Sequence, residues 1–157
     1  YKNAFSVIFD VDPSLYGFCI VKLVLQPILE NAINYGVSGM DDCGEIKISG
    51  KMEKEMIVLS VTDNGVGMSS EEVSRLLTGE NRVHKHGSGV GLVNVNNRIK
   101  IVFGKEYGVV VESEPDEGTT VSIRLPAVMY TEENRKTLER GNPHGKENAV
   151  GQEMQRE

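Results

Sequence analysis

Positive charge is in deficit: 17 Lys and Arg residues face 23 Asp and Glu, for a formal net charge of -6. A basic footprint is therefore missing, which argues against nucleic acid as a partner. No apolar run approaches the roughly 20 residues that cross a bilayer. No signal-peptide pattern opens the chain either, so no direct membrane contact is expected. Cysteine is scarce, and Cys19 and Cys43 fall in no metal-ligand spacing; two isolated cysteines read as reduced thiols of a cytoplasmic protein. Histidine is scarcer than its chemistry invites, with three in all and none before His84. The two familiar phosphate motifs are absent. No strand leads directly into G-x-G-x-x-G, and G-x-x-x-x-G-K-[ST] does not occur.

What remains is a 157-residue chain with 39% hydrophobic and 25% charged residues, enough for one domain with a core and too short for two ordinary ones. "AFSVIFDV" alternates as a strand and "DPSL" supplies a turn. In "FCIVKLVLQPILENAINYG" the apolar residues Leu25, Ile28, Leu29, Ala32 and Ile33 recur at helical spacing; Pro27 suits a first-turn position and Gly36 a stop. "GEIKISGKME" and "EMIVLSVTDN" form a predicted hairpin. "SSEEVSRLL" carries serine caps and early acids. A polar loop, "TGENRVHKHGSG", leads to the helix "GLVNVNNRIKIVFG", and "YGVVVESEP" and "TTVSIRLPAV" close the order. Strands cluster in hairpins, which predicts an α+β fold with a mixed, mainly antiparallel sheet. After Tyr130 large apolar residues nearly vanish, so the expected domain is 1–129, with 130–157 a polar, disordered tail that allows at most a short exposed helix over 131–140.

Three polar clusters interrupt this framework. "ENAINYG" places Glu30, Asn31, Asn34 and Tyr35 on a helix whose other face is apolar. Asn31 and Asn34 lie one turn apart, and an amide oxygen is a suitable hard ligand for Mg²⁺. "DNGVG" sets Asp63 at the end of an apolar strand, where a carboxylate accepts from an amino group while Gly65 and Gly67 admit a flat ring. A plain Asp-Asn-Gly turn is the competing reading. "GSGVGL" puts Gly87, Gly89 and Gly91 at a helix N-terminus, whose bare N–H groups and dipole favour an anion.

In this order the three clusters resemble the N box and the two glycine boxes of the GHKL superfamily, the ATP-binding domain of gyrase, the heat-shock chaperone of the same fold, histidine kinases and mismatch-repair proteins. "LQPILENAINYG", "GVGLVNVNNRIKIVFG" and "ESEPDEGTTVSIRLP" look more narrowly like sensor histidine kinases of the autolysin-regulator type, over roughly residues 4–128. The resemblance implies a Bergerat fold, a two-layer α/β sandwich with helices on one face of the sheet. It implies ATP and Mg²⁺ as cofactors, with Asn31 holding the metal against the phosphates. Asp63 would accept the adenine amino group, supported by Thr120 or Thr119, with Gly65 and Gly67 lining the base pocket. Gly87, Gly89 and Gly91, with Ser88 and Val90 between them, would wrap the triphosphate, and Leu92 would anchor the helix. Residues 68–86 would form a lid.

The departures are specific. Asn34 stands where such kinases often have lysine or arginine, and Tyr35 where they often have histidine. Pro27 stands four residues before Asn31, where the gyrase-like branch keeps its water-activating base, so hydrolysis by that route is not expected. Glu30 is then the candidate base toward an acceptor imidazole, or an orienter of Mg²⁺ waters. With no histidine before His84, the acceptor is expected on a dimerisation domain of the same parent protein, with a response regulator downstream. The chain would be the cytoplasmic portion of a membrane-bound sensor. An anti-sigma-factor serine kinase of the same fold and a non-enzymatic ATP-binding module are the alternatives.

Overall fold

The computed structural model describes residues 5–38, 40, 43–78 and 88–140. Strand β1, Phe5–Val11, is followed by a 3-10 turn, Pro13–Gly17, that begins where the Asp12 carboxylate accepts from Ser14 N–H at 2.8 Å. The short β2, Phe18–Cys19, precedes helix α1, Gln26–Asn31. Next come β3, Gly44–Glu53, and β4, Met56–Asp63, joined at Lys54 and Glu55, both in the left-handed region with φ of 46° and 66°. That is the conformation a tight hairpin requires, adopted here without glycine. Helices α2, Ser70–Thr78, and α3, Ser88–Phe103, lead to β5, Gly108–Glu114, β6, Gly118–Pro126, and β7, Val128–Met129. Helix α4 spans Glu132–Glu139.

Five strands pair in the order β1-β3-β4-β6-β5, with β1 parallel to β3 and the rest antiparallel, while β2 and β7 make a separate two-stranded pair. The period-2 rule divides the sheet cleanly. On one face Ile46, Ile57, Leu59, Val61, Val121 and Ile123 join Ile28 of α1 and Leu92, Val95 and Ile99 of α3 in one core. On the other, hydroxyls pair across strands, Ser60 with Ser122 at 2.8 Å and Thr62 with Thr120 at 3.0 Å. The result is the expected α+β two-layer sandwich. No helix among the described residues is long and apolar enough to cross a membrane.

Three expectations are modified. The helix carrying the first polar cluster does not run evenly to Gly36. It is α-helical to Asn31 and then widens to a π-helical turn, Ala32–Val37, closed by Ser38 N–H on Ile33 C=O at 3.1 Å; such widenings concentrate at functional sites.

The second concerns the lid. Its first part, Ser70–Thr78, is a helix with a reciprocal cap. Ser69 N–H donates to the Glu72 carboxylate at 2.8 Å and Glu72 N–H to Ser69 Oγ at 3.4 Å. Leu76 is buried in the core, so this stretch belongs to the body of the domain. Residues 79–87 lie outside the described residues.

Third, the tail is not featureless from its start. Thr131 Oγ1 caps α4 by accepting from Asn134 N–H at 3.0 Å, Asn134 Nδ2 donates to Met129 C=O at 2.9 Å, and Leu138 is buried. One apolar residue, a cap and a tie to β7 order a segment whose composition alone argued against order. Residues 141–157 lie outside the described residues.

Candidate functional site

Strand β4 ends inside the protein rather than at its surface. Asp63, its last residue, is only 5% exposed and is the single charged side chain in the buried set of the described residues. Backbone amides hold it. Gly65 N–H donates to Oδ1 at 3.0 Å, and Thr119 N–H also bonds the carboxylate. Burial pushes the Asp63 carboxyl above the usual range, and the two N–H bonds only partly oppose that. The turn that follows is pinned to β3, because Asn64 Oδ1 accepts from Glu45 N–H at 2.7 Å and Asn64 N–H returns to Glu45 C=O at 3.2 Å. This is more than a plain Asp-Asn-Gly turn.

Glycine is required where the widened turn meets this carboxylate. A Cβ on Gly36 would stand 2.5 Å from Asp63 Cγ, and a Cβ on Gly65 would collide with the Gly36 backbone. Two chain segments and a carboxylate therefore share space that fits no side chain. Gly67 has φ of 63° and is packed against the Glu114 carbonyl. Ser113 completes the wall: its hydroxyl donates to Gly118 C=O at 2.9 Å, accepts from Met68 N–H at 2.8 Å and lies 2.9 Å from Thr119 Oγ1. The sequence marks Gly36 only as a helix stop, and it does not single out Ser113 at all. The glycine inside "NYG" was the available signal for the first, and nothing local marks the second.

A cavity of about 570 Å³ opens here, with Asp63 and Thr119 on one side and Ser70 and Val73 of α2 on the other. Its rim carries Glu112, Glu114 and Glu117. Four carboxylates, counting Asp63, repel a triphosphate but suit a neutral ring that donates N–H. Among the described residues, neither Asn31 nor Val90 of α3 lines it.

The other anticipated residues lie on α1 and α3. Glu30 is exposed and its carboxylate accepts from Gln26 Nε2 at 2.9 Å. Asn31 is half-buried at the last α-helical position, and Asn34 and Tyr35 are exposed on the widened turn. Ser88, Gly89 and Val90 form the first turn of α3, with Val90 exposed, and Leu92 is buried behind them. Gly91 faces Pro27, whose Cβ would be 3.2 Å from an added methyl, so this glycine lets α3 approach the start of α1. Gly87, His84 and His86 lie outside the described residues. The sequence leaves Thr119 and Thr120 as alternatives, and the register distinguishes them. In the β4–β6 register Thr119 stands opposite Asp63, while Thr120 pairs with Thr62 and bonds its hydroxyl on the far face of the sheet. Both threonines border the cavity, and Thr119 is the one opposite the Asp63 carboxylate.

Among the described residues no three His, Cys, Asp or Glu side chains gather as a metal cage. The chemistry of the donor set still fits Mg²⁺, which keeps most of its waters and takes one or two protein oxygens plus phosphate. Asn31 offers such an oxygen.

A family model described as histidine kinase-, DNA gyrase B- and HSP90-like ATPase matches residues 20–129. The chain belongs to that ATPase family. It is 33% identical over 126 residues to the sensor histidine kinase YesM of Bacillus subtilis, covering 80% of this chain and 20% of the relative. It is 32% identical over 127 residues to the sensor protein LytS of Staphylococcus saprophyticus, covering 80% and 21%. The chain thus spans about a fifth of the length of these curated relatives. Among solved structures, the histidine kinase domain of a blue-light activated kinase from Erythrobacter litoralis shares the fold, with a TM-score of 0.54 at 16% identity, over 86% of this chain and 55% of that one. Family membership supports ATP as the nucleotide, and α4 lies beyond the matched residues.

Proposed function

We propose that this domain binds Mg²⁺·ATP and donates the γ-phosphoryl group to a histidine on a dimerisation domain of its parent protein, which would hand it on to a response regulator. The parent is then a sensor kinase of the kind represented by its relatives, with this portion in the cytoplasm. The observation that carries the reading is the buried Asp63 carboxylate, held by backbone amides at the mouth of a cavity suited to a neutral, donor-bearing ring.

Each residue has a task in this reading. Asp63 accepts from the adenine amino group, and Thr119 braces it from β6. Gly65 and Gly67 let the base approach the backbone. The first turn of α3, with Gly87 just before it in the sequence, offers N–H groups to the phosphates. Asn31 supplies the protein oxygen to Mg²⁺, which neutralises phosphate charge when bound. Such a transfer relies on positioning and charge stabilisation more than on covalent chemistry. Glu30, exposed beside Asn31, is placed to take the proton of an incoming imidazole. Pro27 packs against Gly91 at the site where a hydrolytic base would stand, which favours transfer over hydrolysis.

The test combines the chain with a purified histidine-bearing dimerisation helix and radiolabelled ATP. Acid-labile label on the helix is the expected result. Acid-stable label would assign a serine kinase instead, and nucleotide binding without transfer would leave only a conformational module.

A further inference from the structure

At the other end of the sheet from Asp63, β2 and the residues after it, Tyr130, α3 and α4 line a second cavity, of about 530 Å³. Strand β6 runs the whole way between the two, nine residues from Gly118 to Pro126, which at about 3.3 Å per residue is roughly 30 Å. In a chain of net charge -6, three cations converge on this cavity. Lys22 comes from the approach to α1, Arg98 from α3 and Arg135 from α4, against one lining carboxylate, Glu139. Glu139 is already shared, at 2.7 Å to Lys22 and 3.1 Å to Arg135. Arg98 is exposed and makes no ion pair among the described residues. Arg135 is paired through its terminal nitrogens, to Glu132 at 3.0 Å and to Glu139, and only its Nε is buried without an acceptor among the described residues. The remaining wall is apolar, with Leu138 buried and the Tyr130 ring at the rim.

We infer that this cavity is a binding site for a small organic anion, a carboxylate or phosphate on an apolar body. Its volume is that of a small-molecule pocket, and its lining joins an apolar wall to a few convergent polar groups, as such sites require. A planar guanidinium without a partner is the group that receives a carboxylate or phosphate in bidentate fashion. Part of the site is made by α4, which the ATPase family model does not reach. The inference does not depend on which acceptor the kinase reading assigns.

The test is amide NMR on the full chain, with saturating Mg²⁺·ATP present, titrating phenyl phosphate and benzoate as probes. The expected result is shifts at Lys22, Arg98 and Tyr130, with Asp63 and Gly65 unmoved and neutral benzyl alcohol inert. Arg98→Ala, on an exposed helix position where alanine preserves the helix, should weaken the probes about tenfold. Absence of shifts, equal shifts from benzyl alcohol, indifference to Arg98→Ala, or spread of the shifts to Asp63 would overturn the assignment. Binding by hexaglutamate in place of the small probes would overturn it too, and would point to an acidic peptide.

Discussion

The Asp63 end and the α1–α3 end of the candidate site are built differently. At the first, a buried carboxylate, two glycine backbones and a serine hydroxyl network are locked together by the protein's own contacts. At the second, Glu30, Asn34, Tyr35 and Val90 are exposed, Asn31 is half-buried, and the segment leading into α3 carries the remaining glycine. In the proposed reading the base enters a pocket the fold has already shaped, while the phosphates and Mg²⁺ meet groups that water also reaches. The difference teaches where damage should appear. Changes at Asp63 should be felt in folding and affinity together, and changes on α1 in metal dependence and transfer.

The largest effect belongs to Gly65. Alanine there must displace the Gly36 backbone, which is not the end of a flexible side chain, and overpacking of that kind costs about 1–3 kcal/mol or more. Gly65→Ala should lower the melting temperature and abolish nucleotide binding. A variant with wild-type stability and affinity would show that the Gly36–Gly65 contact does not shape the pocket.

Asp63→Asn should move both affinity and stability, in opposite directions. Loss of a charge-assisted hydrogen bond costs about 1.5–3 kcal/mol, so ATP affinity should fall by about tenfold or more. Stability has the opposite sign. Because the folded-state pKa of Asp63 is raised, the folded chain binds its proton more tightly than the unfolded one. That contribution is fully present below the unfolded carboxylate pKa and lost as pH rises through the folded value. Wild type should therefore lose ground to Asp63→Asn in urea melts as pH climbs from the acid range toward neutrality. A gap that widens in favour of wild type would mean the carboxylate is better satisfied than its burial implies.

At the other end, Asn31→Ala should leave the circular dichroism spectrum and melting temperature close to wild type, since the residue is only half-buried. Its signature is in the metal. Titrations with and without Mg²⁺ should converge in the variant and differ in wild type. Retained Mg²⁺ dependence would move the ligand role away from Asn31.

The two ends also differ in how much of them could be read in advance. The strand alternation of "EMIVLSVTDN", the serine-glutamate cap of α2 and the order of the three polar clusters are local patterns, and the fold follows them. The contacts that shape the Asp63 pocket are not local. Gly36 meets Asp63 because a helix widens within one turn, and Ser113 matters only once β5 lies beside β6. Helix α4 could be read only as a short exposed helix over 131–140; that Leu138 is buried and a threonine cap orders it could not be read from composition. Register is the sharpest case, since a shift of one residue exchanges the faces of a strand and no feature of "GTTV" says which threonine looks inward.

That ambiguity sets the smallest prediction, which uses adjacent residues as each other's control. Thr119→Val removes the hydroxyl that meets Ser113 beside Asp63, at a cost of about 1 kcal/mol, and should weaken nucleotide binding by a small factor. Thr120→Val removes a hydroxyl from the far face, where Thr62 is half-exposed and water replaces the lost partner. Valine keeps the β-branched shape the strand prefers, so stability should stay within about 0.5 kcal/mol. Thr120 borders the same cavity but does not face the carboxylate, so affinity should fall less than with Thr119→Val. Side-by-side titration and thermal melts decide it. If Thr120→Val proved the more damaging of the two, the face assigned to Asp63 by the β4–β6 register would be wrong, and the base pocket with it.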